Sequence, residues 1–293
     1  MHVLTIDVEE WFHILGNPRT DDEAGWDQME SRIHNNMERI FSLLERTRRR
    51  ATFFCVGWIG ERYPEVVRDI AQRGHEVACH SHRHRPVHSQ DPQTFREDLT
   101  RALGALEEAS GTRVRAFRAP GFSIRESMPW VFETLIEKGI EIDASIVPAR
   151  RRHGGFPRFG PARPAILECQ RGELKEFPMG LAPLWHKQIH LAAGGWFRLL
   201  PYWKVRALVR AQPYVMSYFH PRDFDPDQPV IPGIGLGRRI KLYRGLGRSL
   251  AKAERLLTEF PFQDIATLEQ EIDWESAPRV RLADIAEDQG GPS

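Results

Sequence analysis

Cysteine is scarce in this chain: Cys55, Cys79 and Cys169 are the only three among 293 residues. They are isolated, odd in number and outside any Cys-x-x-Cys spacing, which argues against a disulfide framework or a thiolate zinc motif. Cys55 and Cys79 fall in apolar, strand-like runs and read as small buried hydrophobes. No apolar stretch approaches the roughly 18 residues of a membrane span, and the first residues, "MHVLTIDVEEWF", lack the basic and apolar regions of a secretory leader. A cytoplasmic protein with no transmembrane segment is therefore expected. Excess charge of either sign is also missing, with 41 Lys+Arg against 40 Asp+Glu, so no nucleic-acid partner is expected. Two basic runs, "RTRRR" at 46–50 and "ARRRH" at 149–153, read as a solvated helix end and a solvated loop. No Gly-rich phosphate loop follows a first strand. "GIGLG" at 233–237 sits in a Pro-rich loop without the flanking elements that a dinucleotide site requires.

What the chain has is an alternation of short strands and helices. "HVLTI" (2–6), "ATFFCVG" (51–57), "HEVACH" (75–80), "VRAFRAPG" (114–121) and "IEIDASI" (140–146) read as strands. Helices are expected near 29–50, 63–74, 89–111 and 128–139. Pro64 and Pro92 occupy first-turn positions, Asp91 a cap, and Gly74 and Gly111 the helix ends. This order predicts a parallel sheet wrapped by helices, either open or closed into a barrel. The second half is less regular: a strand pair around 165–178, a helix at 200–212, a β run at 214–221 and a helix at 240–260. One domain over 1–275 and a tail over 276–293 are expected.

Chemistry in parallel α/β folds gathers beyond the C-terminal ends of strands. Those ends deliver Asp7, Glu9 and Glu10, then His80, Ser81, His82 and His84, then Arg118, Asp143 and His220. Asp7 and Glu9 are two apart, so an extended backbone points them the same way. His80 and His84 would share a face if the chain turned helical there. One carboxylate with two imidazoles suits Zn²⁺, Fe²⁺ or Co²⁺.

These residues resemble the polysaccharide deacetylase family (carbohydrate esterase family 4, NodB homology), and within it the branch associated with bacterial exopolysaccharide export clusters. "HSHRH" fits the family's His-Ser/Thr-x-x-His motif, "RAPG" a near variant of Arg-x-Pro-x-Gly, "IDAS" an aspartate of the related branch, and "YFHP" the apolar-x-His motif. "TIDVEE" stands where Thr-Phe-Asp-Asp-Gly is usual. The resemblance implies an α/β fold of the distorted (β/α)7 barrel type and metal-dependent removal of N-acetyl groups from an amino-sugar polysaccharide. It assigns Asp7 as base and Arg118 as its neighbour. His80 and His84 become metal ligands, with Glu9, or alternatively Glu10, as the carboxylate ligand. His220 becomes the acid, and Asp143 a group tuning His220 or Arg118. Zinc is the expected ion, with cobalt or iron as alternatives. An N-acetylated carbohydrate is the expected substrate and an export complex a peripheral partner, the oligomeric state being open. His82 would pack, hydrogen-bond at the rim or touch substrate. Trp11, Trp185, Trp196, Phe197, Tyr214, Tyr218 and Phe219 are candidate walls for a sugar ring. Two other readings stand beside this one: a cyclic-imide or ureide hydrolase on a similar barrel, and a metal-free carbohydrate-binding or assembly module.

Overall fold

The computed structural model describes residues 1–17, 20, 23–151, 154–184, 187–231 and 233–286. The first strand breaks in two, β1 (His2–Val3) and β2 (Thr5–Val8), followed by α1 (Ile33–Thr47), β3 (Thr52–Cys55), α2 (Gly57–Arg62), α3 (Pro64–Gln72) and β4 (Glu76–Cys79). Then come α4 (Pro92–Ser110), β5 (Ala116–Phe117), α5 (Pro129–Glu137) and β6 (Ile142–Asp143). The hairpin β7 (Ala165–Cys169) and β8 (Gly172–Glu176) follows, then β9 (Ala182–Leu184), β10 (Lys187–Ile189), β11 (Ala192–Ala193), α6 (Gly194–Leu199), α7 (Tyr202–Ala211) and β12 (Val215–Tyr218). The chain continues through α8 (Leu236–Tyr243), α9 (Ser249–Glu259), α10 (Ile265–Glu271) and β13 (Arg279–Arg281).

The strands lie in the order β13-β7-β8-β6-β5-β4-β3-β2, parallel throughout except for the β7–β8 hairpin. β12 continues the surface beyond β2. It pairs in parallel with β1, bridges Ile6 to Phe219, and carries β11 on its other edge. Side-chain alternation shows that this surface closes. One face contributes Val3, Phe54, Ala78, Ala116, Ile142, Phe177 and Met216 to a single interior cluster. The other face sends Ile6, Phe53, Cys55, Val77, Cys79 and Phe117 against the helices. Closure uses β2, β3, β4, β5, β6, β8 and β12, which is the distorted barrel of seven strands. The distortion is a seam. Among the described residues no ladder joins β8 to β12; instead Phe177 and Met179 pack with Tyr214 and Met216.

Local chemistry fixes the helices much as their spacing predicts. Asp91 accepts the Thr94 N–H at 2.8 Å at the start of α4, Pro92 takes the first turn, and Gly111 ends it at φ +68°. Cys55 and Cys79 are buried. Three expectations need correction. The strand from 51 stops at Cys55, and Gly57 opens α2, where an added Cβ would lie 2.7 Å from Ala102 Cα on α4. The expected helix 240–260 is two helices, broken at Gly245, whose φ is +83°. The stretch 80–84 is a loop, not a helix, with Ser81 at φ +61° and His84 at φ +50°. Among the described residues no helix is long and apolar enough to cross a membrane. Of the tail expected over 276–293, Arg279–Arg281 instead forms β13 and pairs in parallel with β7, while 287–293 lies outside the described residues.

Candidate active site

Asp7 ends β2 inside the barrel mouth, and Arg118, just past β5, meets it there. The Arg118 Nη1 donates to Asp7 Oδ1 at 2.6 Å and to Thr5 Oγ1 at 2.8 Å, and Nε donates to the Ala144 carbonyl at 3.3 Å. The guanidinium lies 4.1 Å from the Phe54 ring centroid and is wholly buried. A bonded, stacked and buried arginine has few rotamers left, so it holds the Asp7 carboxylate in one orientation.

Glu9, His80 and His84 are all buried and offer ligand atoms that lie within 4.8 Å of one another. The His80 Nδ1–H donates to the Arg118 carbonyl at 2.8 Å, which leaves Nε2 as a free lone pair. Burial pushes the His80 imidazole down to about 4, so it is neutral at pH 7, as a ligand must be. His84 reaches Glu9 by the left-handed turns at Ser81 and His84, and its Nε2 lies 2.7 Å from Glu9 Oε2. Asp98 on α4 anchors that loop by accepting the N–H groups of His82 and Arg83 at 2.7 and 3.0 Å. Burial alone would raise Glu9, but the charges of His84 and His220, a hydrogen bond from His84, and Arg222 hold its carboxyl well below the usual range. One carboxylate and two imidazoles, desolvated, convergent and with one tautomer already fixed, fit a divalent ion.

Glu10 lies elsewhere. It accepts Ser31 Oγ at 2.6 Å and the N–H groups of Arg32 and Ile33 at 2.9 and 3.1 Å, capping α1, whose own flanking residue supplies no side-chain cap. Adjacent carboxylates on an extended chain face opposite ways, and each has its own task.

His220 follows β12. Its Nδ1 lies 3.0 Å from Asp223 Oδ2, and its Nε2 lies 3.7 Å from Glu9 Oε1. Burial would lower this imidazole, but the Glu9 charge, together with the hydrogen bond and charge of Asp223, outweighs it and holds His220 above its usual value. Asp223 in turn forms a buried ion pair with Arg198, whose Nη2 donates to the carbonyls of Lys241 and Leu242 at 2.8 and 3.0 Å.

Asp143 stands apart from this group. It accepts the Ser145 N–H at 3.0 Å and the Ser145 hydroxyl at 2.7 Å, and it shares a buried hydrogen bond with Glu176. It reaches Arg118 only through its charge, whereas the partners of His220 are Asp223 and Glu9. His82 is fully buried, with the Cβ position of Gly57 2.7 Å from its Nδ1. Of the aromatic candidates, Tyr218 lines the cleft, Tyr214 fills the barrel interior, Phe197 packs on Phe219, and Trp11 donates to the Glu30 carbonyl. Trp185 lies outside the described residues.

Asp7, Glu9, His80, His84, Tyr218 and His220 open on one cleft of about 560 Å³. Sequence reasoning missed several of its lining residues: His13, Arg151, His190, Arg222 and Lys241. It also missed Asp223, although "HPRD" carries a readable signal, an acid three residues after a histidine at a helix start.

Comparison with known proteins agrees with this geometry. Residues 22–135 match the family model described as "Polysaccharide deacetylase", and residues 144–270 match a "Domain of unknown function (DUF3473)". A bifunctional xylanase/deacetylase of Pseudobutyrivibrio xylanivorans is 27% identical over 90 residues, 30% of this chain and 15% of that protein. A peptidoglycan-N-acetylglucosamine deacetylase of Bacillus cereus is 24% identical over 117 residues, 36% of this chain and 42% of that protein. The chain thus spans less than half the length of these relatives. The crystal structure of a Mycobacterium smegmatis protein named for polysaccharide deacetylases superposes with a TM-score of 0.64 at 21% identity, covering 95% of this chain and 92% of that one. A carbohydrate esterase family 4 pseudoenzyme from Bacillus anthracis gives a TM-score of 0.52 at 15% identity, covering 96% and 69%. Those likenesses carry the fold, and the segment 22–135 that matches the polysaccharide deacetylase model holds His80, His84 and Arg118.

Proposed function

We propose that this protein removes N-acetyl groups from an amino-sugar-containing polysaccharide by metal-dependent hydrolysis. The observation that carries the reading is the convergence of Asp7–Arg118, Glu9–His80–His84 and His220–Asp223 on one cleft. Zinc is the ion best suited to the donor set, with cobalt or iron able to replace it. Glu9, His80 and His84 would hold the ion, which would supply Lewis-acid chemistry toward the acetamide carbonyl and the attacking water.

The chain's own groups do the proton work. Asp7, oriented by Arg118, takes the proton of the attacking water as general base. His220, kept above its usual pKa by Glu9 and Asp223, is the proton donor for the departing amine. An amine leaves badly as an amide anion, so this proton belongs to the transition state. Tyr218 and Phe122 offer the sugar ring an apolar wall. On the strength of the sequence resemblance we propose that this activity serves exopolysaccharide biosynthesis, on the cytoplasmic side and in peripheral contact with an export complex. Asp143 supports the Arg118 side of the mouth by its charge.

Acetate release from N-acetylated oligosaccharides, with metal analysis of the same preparation, tests the reading. Wild type should hold one ion per chain and release acetate. Asp7→Asn should keep the ion and lose about 10²–10⁴-fold in turnover. Replacing His80 and His84 together by alanine should abolish both. A wild type that holds no ion and releases no acetate would favour the metal-free carbohydrate-binding module instead.

A further inference from the structure

The cleft has a charge imbalance that the deacetylation chemistry does not use. Among the described residues, Asp7 and Glu9 are the only carboxylates lining it, and both are engaged, Asp7 by Arg118 and Glu9 by His84. Against them stand Arg151, Arg222, Arg238 and Lys241. Among the described residues, neither Arg151 nor Lys241 has a carboxylate within ion-pair distance, and Arg238 donates only to the carbonyls of Leu15 and Gly16. A neutral sugar would leave these cations without a counter-charge: Arg151, Arg238 and Lys241 are solvent-exposed at the mouth of the cleft, where an arriving anion can reach them. Their mutual repulsion is felt: burial first, then Arg151 and Arg198, press the Lys241 ammonium below its usual range.

The cations are placed by construction. Lys241 is carried on α8, and its stem lies over Gly195, where an added Cβ would come within 2.5 Å of Lys241 Cγ. Arg198 grips the end of α8 through the Lys241 and Leu242 carbonyls. Beside them His190 lines the same cleft, its ring stacked on Phe122 at 5.8 Å. Its Nδ1 is buried without a hydrogen-bond partner. Burial, then the charges of Arg151, Lys241 and Arg118, lower this imidazole to about 3. A buried, unpaired ring nitrogen costs free energy unless a ligand meets it.

We propose that the N-acetylated polymer taken by this cleft is anionic, bearing carboxylate or phosphate groups near the acetamide that Arg151 and Lys241 bind and His190 hydrogen-bonds. This deepens the deacetylase reading and rests on it. The two cations neutralise the anion, and the neutral imidazole donates to one of its oxygens.

Binding of three probes to the metal-loaded protein tests the inference: a neutral N-acetylglucosamine tetramer, a hyaluronan tetramer carrying carboxylates, and UDP-N-acetylglucosamine carrying phosphates. Calorimetry at about 50 mM and about 300 mM salt should show at least one anionic probe bound about tenfold more tightly than the neutral tetramer, with the advantage shrinking at the higher salt. The hyaluronan and nucleotide-sugar arms separate a carboxylate from a phosphate source. The double variant Arg151→Gln/Lys241→Gln should lose about tenfold on the favoured anionic probe and nothing on the neutral one. Lys241→Glu should lose more on the anionic probe. Equal affinity of wild type for all three probes, or a double variant that weakens all alike, overturns the inference. Acetate release measured in parallel separates the two claims. Charge-selective binding with no acetate from any probe rejects the deacetylase reading, whereas acetate release with equal binding of all probes rejects only the anionic substrate.

Discussion

Arg198 offers the most informative perturbation, because one buried side chain joins the proposed acid to the wall of the cleft. It pairs with Asp223, the two side chains being 3% and 5% exposed, and it donates to two carbonyls at the end of α8. Replacing one member of a buried pair leaves the other charge unpaired, typically a loss of about 3–5 kcal/mol. Asp223 keeps the His220 N–H at 2.9 Å and the imidazole at 3.0 Å, which softens the loss. The freed carbonyls add to it, at about 1 kcal/mol each. Arg198→Met should therefore cost about 3–4 kcal/mol in urea unfolding at pH 7 and fixed metal concentration. A cycle with Asp223→Asn isolates the pair and should return a coupling of about 2 kcal/mol. The acid limb gives an independent check. Burial pushes Asp223 up, but Arg198, His220 and Arg222 press it lower still, so its folded pKa lies below the unfolded value. That stability is present above about pH 4 and is lost as pH falls toward the folded pKa. In Arg198→Met this acid-side loss should shrink. Additive single variants, with coupling under about 0.5 kcal/mol, would refute the linkage.

Other outcomes follow from neighbouring groups. Glu9→Ala should lose the metal in elemental analysis, whereas Glu10→Ala should keep it and lose about 1–2 kcal/mol of stability through the uncapped start of α1. His220→Ala should retain metal and lose turnover on acetamides, yet hydrolyse p-nitrophenyl acetate with much less loss, since that leaving group needs no proton; equal losses on both substrates would remove it from the acid role. Glu76 is raised to about 7 by burial and by the charges of Asp264 and Glu269, against hydrogen bonds from Thr52 and the Ala266 N–H. A carboxyl raised in the folded state favours the protonated form, so its contribution is full below about pH 4 and is lost as pH rises through 7. Glu76→Gln should therefore stabilise the protein by about 2 kcal/mol at pH 8 and not at pH 4, read from thermal or urea unfolding at the two pH values.

Much of the first half was legible because local and global signals agree there. Proline and aspartate mark the starts of α3 and α4, and each strand end delivers its polar group to the rim. Spacing alone left open whether a helix brings His80 and His84 together; left-handed turns at Ser81 and His84 achieve the approach without one. The choice between Glu9 and Glu10 turned on a helix start more than twenty residues away in sequence. Arg151, His190, Arg198 and Lys241 were invisible because no periodicity places them. They meet only after the irregular second half folds across the mouth.

The seam in the barrel has a mechanical consequence. Starting from β12 and passing through β2, β3 and β4 to β5, backbone ladders or bridges connect each strand to the next. His220, Asp7, Glu9, His80 and Arg118 all sit at the ends of strands in this unbroken arc, and Asp7 N–H even donates to the Phe219 carbonyl at 2.8 Å. The seam between β8 and β12 is held by the side chains of Phe177, Met179, Tyr214 and Met216. β12, which leads into His220, forms one edge of that seam, so the proposed acid stands beside the joint while Asp7, Glu9, His80 and Arg118 sit on the laddered side. Movement at this joint would therefore bear first on the proposed acid and leave the proposed base and metal ligands in register.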